Sequence, residues 1–388
     1  MKTMTQKSVL IAAVAGSALL ISGCEPPIGI ETDQKGYRGL GLEQVQKRYL
    51  EERKRADMTI PAVQPPAASA GPRAGDIYQN VQVLGDLSIG EFNRLMNAIT
   101  EWVSPEAGCN YCHVTGNFAD DNIYTKVVSR RMLEMTKIIN TDWNVHVADT
   151  GVTCYTCHMG EPVPQNIWFE DPGPRQAGGL AALRMGQNLA SPNLASTSLP
   201  NDVFSAFFED NPREIRVTPT TMLPEGSNPT NVMDAEWSYG LMIHMSTALG
   251  ANCTTCHNTN NFPSWEHSPP QRVTAWHGIQ MVRSLNVDFL NPLQPVYPDS
   301  QLGPLGDAPK ANCATCHNGL QLPLDQAQML ADYPELNRVQ VRGMNAAAPE
   351  AAPAYAPEPA PEGEEPSVIE PEAESEVSAA TNANSAGS

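Results

Sequence analysis

Apolar residues recur at helical spacing in four separate stretches of the chain. Between Ser88 and Pro105 they fall at Ile89, Phe92, Leu95, Met96, Ile99 and Trp102, a single stripe on a 3.6-residue period. Ser88-Ile-Gly-Glu91 opens this stretch with a capping-box pattern, and the stripe stops near Pro105. A second helix is expected from Asn122 to about Asn140, with Tyr124, Val127, Val128, Met132, Met135 and Ile139 turned inward. The third is capped by Asp234 and runs through Trp237, Leu241, Met242, Met245 and Leu249 to Gly250. The fourth starts at Ser268-Pro269 and carries Val273, Trp276, Met281, Leu285 and Phe289. Between the second and third lies a stretch rich in Pro, Gly, Asn and Ser, residues 159–233, interrupted only by apolar Val203–Phe208. It is too long for a simple loop and reads as a connecting segment.

Each predicted helix leads towards the same short motif, Cys-x-x-Cys-His. The four copies are Cys109-Asn-Tyr-Cys112-His113, Cys154-Tyr-Thr-Cys157-His158, Cys253-Thr-Thr-Cys256-His257 and Cys313-Ala-Thr-Cys316-His317. This spacing attaches haem c: two thiols add to the haem vinyl groups and the following imidazole becomes a ligand of the iron. Structural zinc usually needs two ligand pairs, and disulfides leave the four histidines unexplained. Four covalent haems are therefore expected. The order helix–haem–helix–haem occurs twice, which predicts a mainly α, loop-rich multihaem cytochrome c built from two pseudo-repeated halves, 76–158 and 234–344.

Composition supports this reading. Only 6% of the 388 residues are aromatic and 34 are proline, so haem supplies much of the apolar volume that side chains do not. Eight of nine cysteines sit in the motifs, and the ninth is Cys24. Lys2 and Lys7 precede an apolar run, Ser8 to Ile21, as in a signal peptide spanning 1–23. The run ends in Ile21-Ser22-Gly23-Cys24, which resembles a bacterial lipobox and makes Cys24 the expected lipid anchor. Residues 24–75 read as an anchor arm and linker. Their basic group Lys47, Arg48, Arg53, Lys54 and Arg55 suits either anionic lipid or a solvated helix face. Residues 345–388 form an acidic Ala/Pro/Glu tail expected to be disordered. Removing its nine carboxylates from the net charge of −19 leaves about −10 on the remainder. That charge disfavours nucleic acid and favours a basic redox partner.

Several side chains stand where a sixth iron ligand is needed. Met96 lies on the apolar face of the first helix, while Met132 and Met135 share a face of the second, and periodicity does not choose between them. Met242 and Met245 pose the same choice in the third helix, with His244 beside them. His146 follows the second helix, and hydrogen bonding at the surface is its ordinary role.

The four motifs, the lipobox cysteine and the methionine-bearing helices ahead of the motifs together resemble the tetrahaem cytochrome c subunit of purple-bacterial photosynthetic reaction centres. The resemblance covers roughly Cys24 to Tyr333. It implies Met96 as sixth ligand opposite His113, Met132 opposite His158, Met242 opposite His257, and His146 crossing to His317. Simple duplication would put Met281 on the fourth iron instead. The resemblance further implies an electron-transfer protein at the periplasmic face of the inner photosynthetic membrane, not an enzyme. Electrons would come from a soluble cytochrome c or a high-potential iron–sulfur protein and pass to the bacteriochlorophyll pair of the L and M subunits, with H in the same complex. The haem of the third motif would lie nearest that pair, followed by those of the fourth, second and first. A periplasmic multihaem carrier or reductase unconnected with photosynthesis is the alternative, and a reductase would keep one iron without a sixth ligand.

Overall fold

Ser88 and Glu91 satisfy each other's backbone at the start of the first long helix, and that local pairing sets where this helix begins. The Ser88 hydroxyl accepts from the Glu91 amide at 3.1 Å, and the Glu91 carboxylate accepts from the Ser88 amide at 3.0 Å. Ser88 also donates to the Ala68 carbonyl at 2.6 Å, tying the preceding linker to the helix. Ser88→Ala is therefore expected to cost about 1 kcal/mol, read as a lower thermal midpoint by circular dichroism with no change in haem spectrum.

The computed structural model describes residues 29–34, 43–171, 199–200, 202–217 and 230–337. The signal peptide, Cys24, the acidic tail and parts of the connecting segment lie outside them. In chain order the described elements are a hairpin of β1 (Ile30–Gln34) and β2 (Glu43–Lys47), then helices α1 (Arg48–Asp57), α2 (Ala74–Ile77), α3 (Ile89–Val103), α4 (Tyr124–Asp142), α5 (Asn144–Val147) and α6 (Cys154–His158). There follow α7 (Val203–Phe207), α8 (Val232–Leu249), α9 (Cys253–Cys256), α10 (Gln271–Ser284), α11 (Cys313–His317) and α12 (Met329–Asp332). β1 and β2 pair antiparallel, with Thr32 opposite Val45. Helices dominate and loops connect them, as the hydrophobic pattern predicts.

Three helix starts differ from expectation: α4 opens at Tyr124, two residues after Asn122. Asn231 caps α8, its side chain accepting from the Met233 and Asp234 amides at 2.8 and 3.2 Å. Asp234 is the reciprocal partner, accepting from the Asn231 amide at 3.0 Å. α10 begins after Pro270 rather than at Ser268.

Three buried clusters hold these elements together. One joins α3 and α4 through Leu95, Ala98, Trp102 and Leu133. Its other wall comes from the end of the described chain, where Met329, Leu330, Tyr333 and Leu336 return to pack on it, with Tyr333 edge-on to Trp102 at 4.6 Å. A second joins Val203, Phe204, Phe207 and Phe208 to Leu241, Met245 and Ala248 of α8 and to Ile279 and Val282 of α10. The apolar piece within the connecting segment is therefore core. The third gathers Ile139, Val152, Met281, Leu285 and Phe289.

Polar straps finish the scaffold around the fourth motif. Lys310 is 1% exposed, and its ammonium reaches Asp307, Glu170, Glu209 and the Trp168 ring. Removing that buried cation would leave the carboxylates around it without their ionic partner. Trp168 and Lys310 also exchange backbone hydrogen bonds of 3.0 Å, so the strand-like piece near Trp168 lies against the entry to α11.

Candidate haem sites

In each motif the residue just before the first cysteine, or the turn delivering it, fixes the backbone. Asn252 and Asn312 accept from the Thr254 and Ala314 amides at 2.9 and 2.8 Å. Thr156 and Thr315, just before the second cysteine, accept from the Thr153 and Asn312 amides at 3.0 Å each. The first motif instead rides a 3-10 turn, Gly108–Tyr111, at the end of α3. These short polar side chains satisfy amides that helix starts leave open.

All four motif histidines are held in the same tautomer. A ring Nδ1–H donates to the carbonyl of Phe118 from His113 (3.2 Å), of Glu161 from His158 (2.9 Å), of Phe262 from His257 (3.1 Å) and of Leu320 from His317 (3.1 Å). A carbonyl only accepts, so each Nδ1 carries the proton and each Nε2 keeps its lone pair for a metal. Burial pushes the His158 imidazole below its ordinary value and His317 down to about 4, keeping both neutral as ligation requires.

The acceptor lies five residues on in motifs one and three and three residues on in motifs two and four. His113 and His257 also stand beside Phe118 and Phe262, at 4.9 and 4.2 Å between ring centres. In the shorter pair, Met159 and Asn318 take left-handed φ of 49° and 45°, followed by Gly160 and Gly319 at 88° and 79°. Two consecutive left-handed residues turn the chain tightly enough to bring the third carbonyl back under the ring.

The sites lie in a file. α3 borders both the first motif and α6, and a cavity of about 820 Å³ is lined by Met96, Cys109, Cys112 and His113 together with Cys154 and His158. That volume is in the range of cofactor pockets. α6 abuts α11, where the Cys157 and Cys316 sulfurs stand 2.8 Å apart. α11 packs on α8 and α10, and α10 packs on α9, the third motif. The spatial order is thus motif one, two, four, three.

The candidate sixth ligands separate by surroundings. On α4, Thr125, Ser129, Met132 and Thr136 form one face: Ser129 is 3.2 Å from the Cys112 sulfur, and Thr136 lies beside Cys154. Met132 therefore faces the haem motifs. Met135 packs instead with the third core. On α8, Met245 is buried in the core, while Met242 sits at its margin. His244 points into the aromatic core, edge-on to Phe204 at 4.5 Å. Met281 is buried among Ile139, Val152, Leu285 and Phe289.

His146 faces His317, with ring centres 6.1 Å apart and planes at 70°. An imidazole nitrogen bonds a first-row metal at about 2.0 Å and lies about 1.1 Å from its own ring centre, so two imidazoles across one metal stand about 6.2 Å apart. The 6.1 Å separation of the pair matches that figure. His146 donates its Nδ1–H to the Thr274 carbonyl at 2.9 Å, leaving its Nε2 free as well.

A family model described as the photosynthetic reaction centre cytochrome C subunit matches residues 25–337. The reaction centre cytochrome c subunit of Thermochromatium tepidum is 50% identical over 359 residues, covering 90% of this chain and 86% of that protein. Those of Rubrivivax gelatinosus and Roseobacter denitrificans are 50% and 40% identical, covering 85% and 84% of this chain and 89% and 91% of theirs. The chain belongs to this family. As a photosynthetic reaction centre cytochrome c subunit it carries covalent haem c and transfers electrons in photosynthesis, and it is not an enzyme. It is a component of the reaction centre complex and associates with the photosynthetic membrane; among its described residues no helix is long and apolar enough to cross one.

Features of this subunit that periodicity does not reveal lie around the fourth motif. Lys54 of α1 donates to the Asn318 carbonyl at 2.6 Å, and Arg55 pairs with Asp325 at 2.7 Å. The Val45 amide of β2 donates to Thr254 of the third motif at 3.2 Å. Part of the basic stretch thus packs on the haem-binding chain and not only on solvent. The capping asparagines were visible in the sequence as Asn-Cys pairs, Asn252-Cys253 and Asn312-Cys313.

Proposed function

We propose that the subunit binds four haem c groups and relays electrons from a soluble periplasmic donor, a small cytochrome c or a high-potential iron–sulfur protein, to the photo-oxidised bacteriochlorophyll pair of the L and M subunits in a complex that also contains H. The observation carrying this reading is that contacts link the sites in the order one, two, four, three, since a relay needs each haem to have a neighbour to hop to. Each haem iron, when bound, supplies reversible one-electron chemistry. The chain holds each group by two thioether cysteines: Cys109 and Cys112, Cys154 and Cys157, Cys253 and Cys256, Cys313 and Cys316. It completes the coordination with His113 and Met96, His158 and Met132, His257 and Met242, and His317 and His146. No iron then keeps a position for substrate. Met281 is set aside because its side chain is core, whereas His146 stands opposite His317.

The alternating acceptor spacing, five, three, five, three, supports two duplicated halves, 76–158 and 234–344, each with one site of either kind. Cys24 carries lipid on the periplasmic face of the membrane, with the signal peptide 1–23 removed and residues 24–75 as the arm. Residues 159–233 connect the halves, and the acidic stretch 345–388 lies outside the described residues. Flash excitation of native membranes with the haems reduced is expected to oxidise haem while the bacteriochlorophyll cation disappears on the same timescale. Decay of the cation with no α-band bleaching would remove the relay reading.

A further inference from the structure

We propose that Gly278 is a positioning residue for the fourth haem site, shaping the slot on α10 that sets the His146 imidazole opposite His317; this rests on the His146 ligation proposed above. A Cβ at Gly278 would stand 2.5 Å from Cε1, 2.9 Å from Nδ1 and 3.1 Å from Nε2 of His146. One turn earlier, the Thr274 carbonyl accepts the Nδ1–H of the same ring at 2.9 Å. Positions 274 and 278 lie on one strip of the helix. That strip therefore offers the ring an acceptor and a bare backbone side by side.

Neither partner has freedom to yield. The ring is held by Thr274 on one side and faces His317 at 6.1 Å on the other. The helix is pinned by Met281, Ile279 and Val282, which are buried in two different cores. Ordinary contact at an added Cβ begins near 3.4 Å, so from 2.5 Å the ring would have to retreat by about 0.9 Å. Metal–ligand distances hold to about 0.2 Å, so a retreat of that size breaks the ligation.

Helix propensity points the same way. Gly278 is buried inside α10. Glycine there is about 1 kcal/mol worse than alanine as a helix former, so its presence needs a packing reason. The imidazole supplies one.

The test compares Gly278→Ala, His146→Ala and the double variant in the full-length, haem-loaded protein by electron paramagnetic resonance and redox titration of the α-band. In Gly278→Ala, one haem is expected to lose its bis-imidazole low-spin signal, with its reduction equilibrium moved tenfold or more, 59 mV for one electron. The other three stay unchanged, and the double variant matches His146→Ala alone. A Gly278→Ala protein with wild-type spectrum and midpoints, while His146→Ala alters one haem, overturns the proposal and spares the ligand assignment. If His146→Ala alters no haem, the assignment itself falls and the proposal with it. Should Gly278→Ala not accumulate, the double variant decides: recovery on removing the ring supports the clash, and continued absence overturns it.

Discussion

His146→Met raises the midpoint potential of one haem, that of His317, and leaves the other three in place. A thioether favours the reduced iron more than an imidazole does, and His–Met ligation accordingly sits at higher potential than bis-His. Axial ligands together span roughly 0.8 V, and a rise on the order of 0.1 V is expected for this exchange. At 59 mV per tenfold, that is a shift of about fiftyfold in the reduction equilibrium. The proximal side is unaffected, because His317 keeps its bond to the Leu320 carbonyl and its place in α11. The loss of the ring's bond to Thr274 costs about 1 kcal/mol, too little to unfold a domain of this size. Redox titration resolved in the α-band, with electron paramagnetic resonance, reads both the potential and the change of ligand. Met281→Leu is the control: a volume-conserving change in the third core that should move no haem. A response to Met281→Leu with none to His146→Met would reverse the two assignments.

How much of this was legible in the sequence depends on how far apart the partners lie. The four motifs are five-residue units, and their chemistry is complete within themselves. Helices α3, α4, α8 and α10 appear as stripes because burying one face leaves a local period. The Ser88 cap is readable because its partner is three residues away. By contrast, the 6.1 Å approach of His146 to His317 joins residues on different elements, and nothing near His146 announces it. The choice between Met132 and Met135 likewise needs the neighbours of α4: one face meets Cys112 and Cys154, and the other meets Met281. Residues 329–336 carry no helical stripe in the sequence, yet Leu330, Tyr333 and Leu336 close the core of the first two long helices. Such long-range returns leave no local period, so residue patterns alone do not place them.

The same distinction decides the third site, where Met242→Leu should convert one haem from six- to five-coordinate. Leucine and methionine have similar volumes, and the exchange usually costs less than about 1.5 kcal/mol, so the fold should persist. His257 stays placed, its Nδ1–H on the Phe262 carbonyl and its ring stacked on Phe262 at 4.2 Å and 8° between planes. Only the thioether is lost. The affected haem is expected to turn high-spin and to fall in potential by on the order of 0.1 V, since the ligand that favours reduced iron is gone. If this site is the one beside the bacteriochlorophyll pair, the flash-induced haem oxidation should change more than in any variant of the other three sites. Met245→Leu provides the comparison, because Met245 lies wholly within the core of α7, α8 and α10. It should leave every haem spectrum intact. A high-spin signal from Met245→Leu and none from Met242→Leu would mean that α8 presents its other sulfur to the iron, one turn further along the same face.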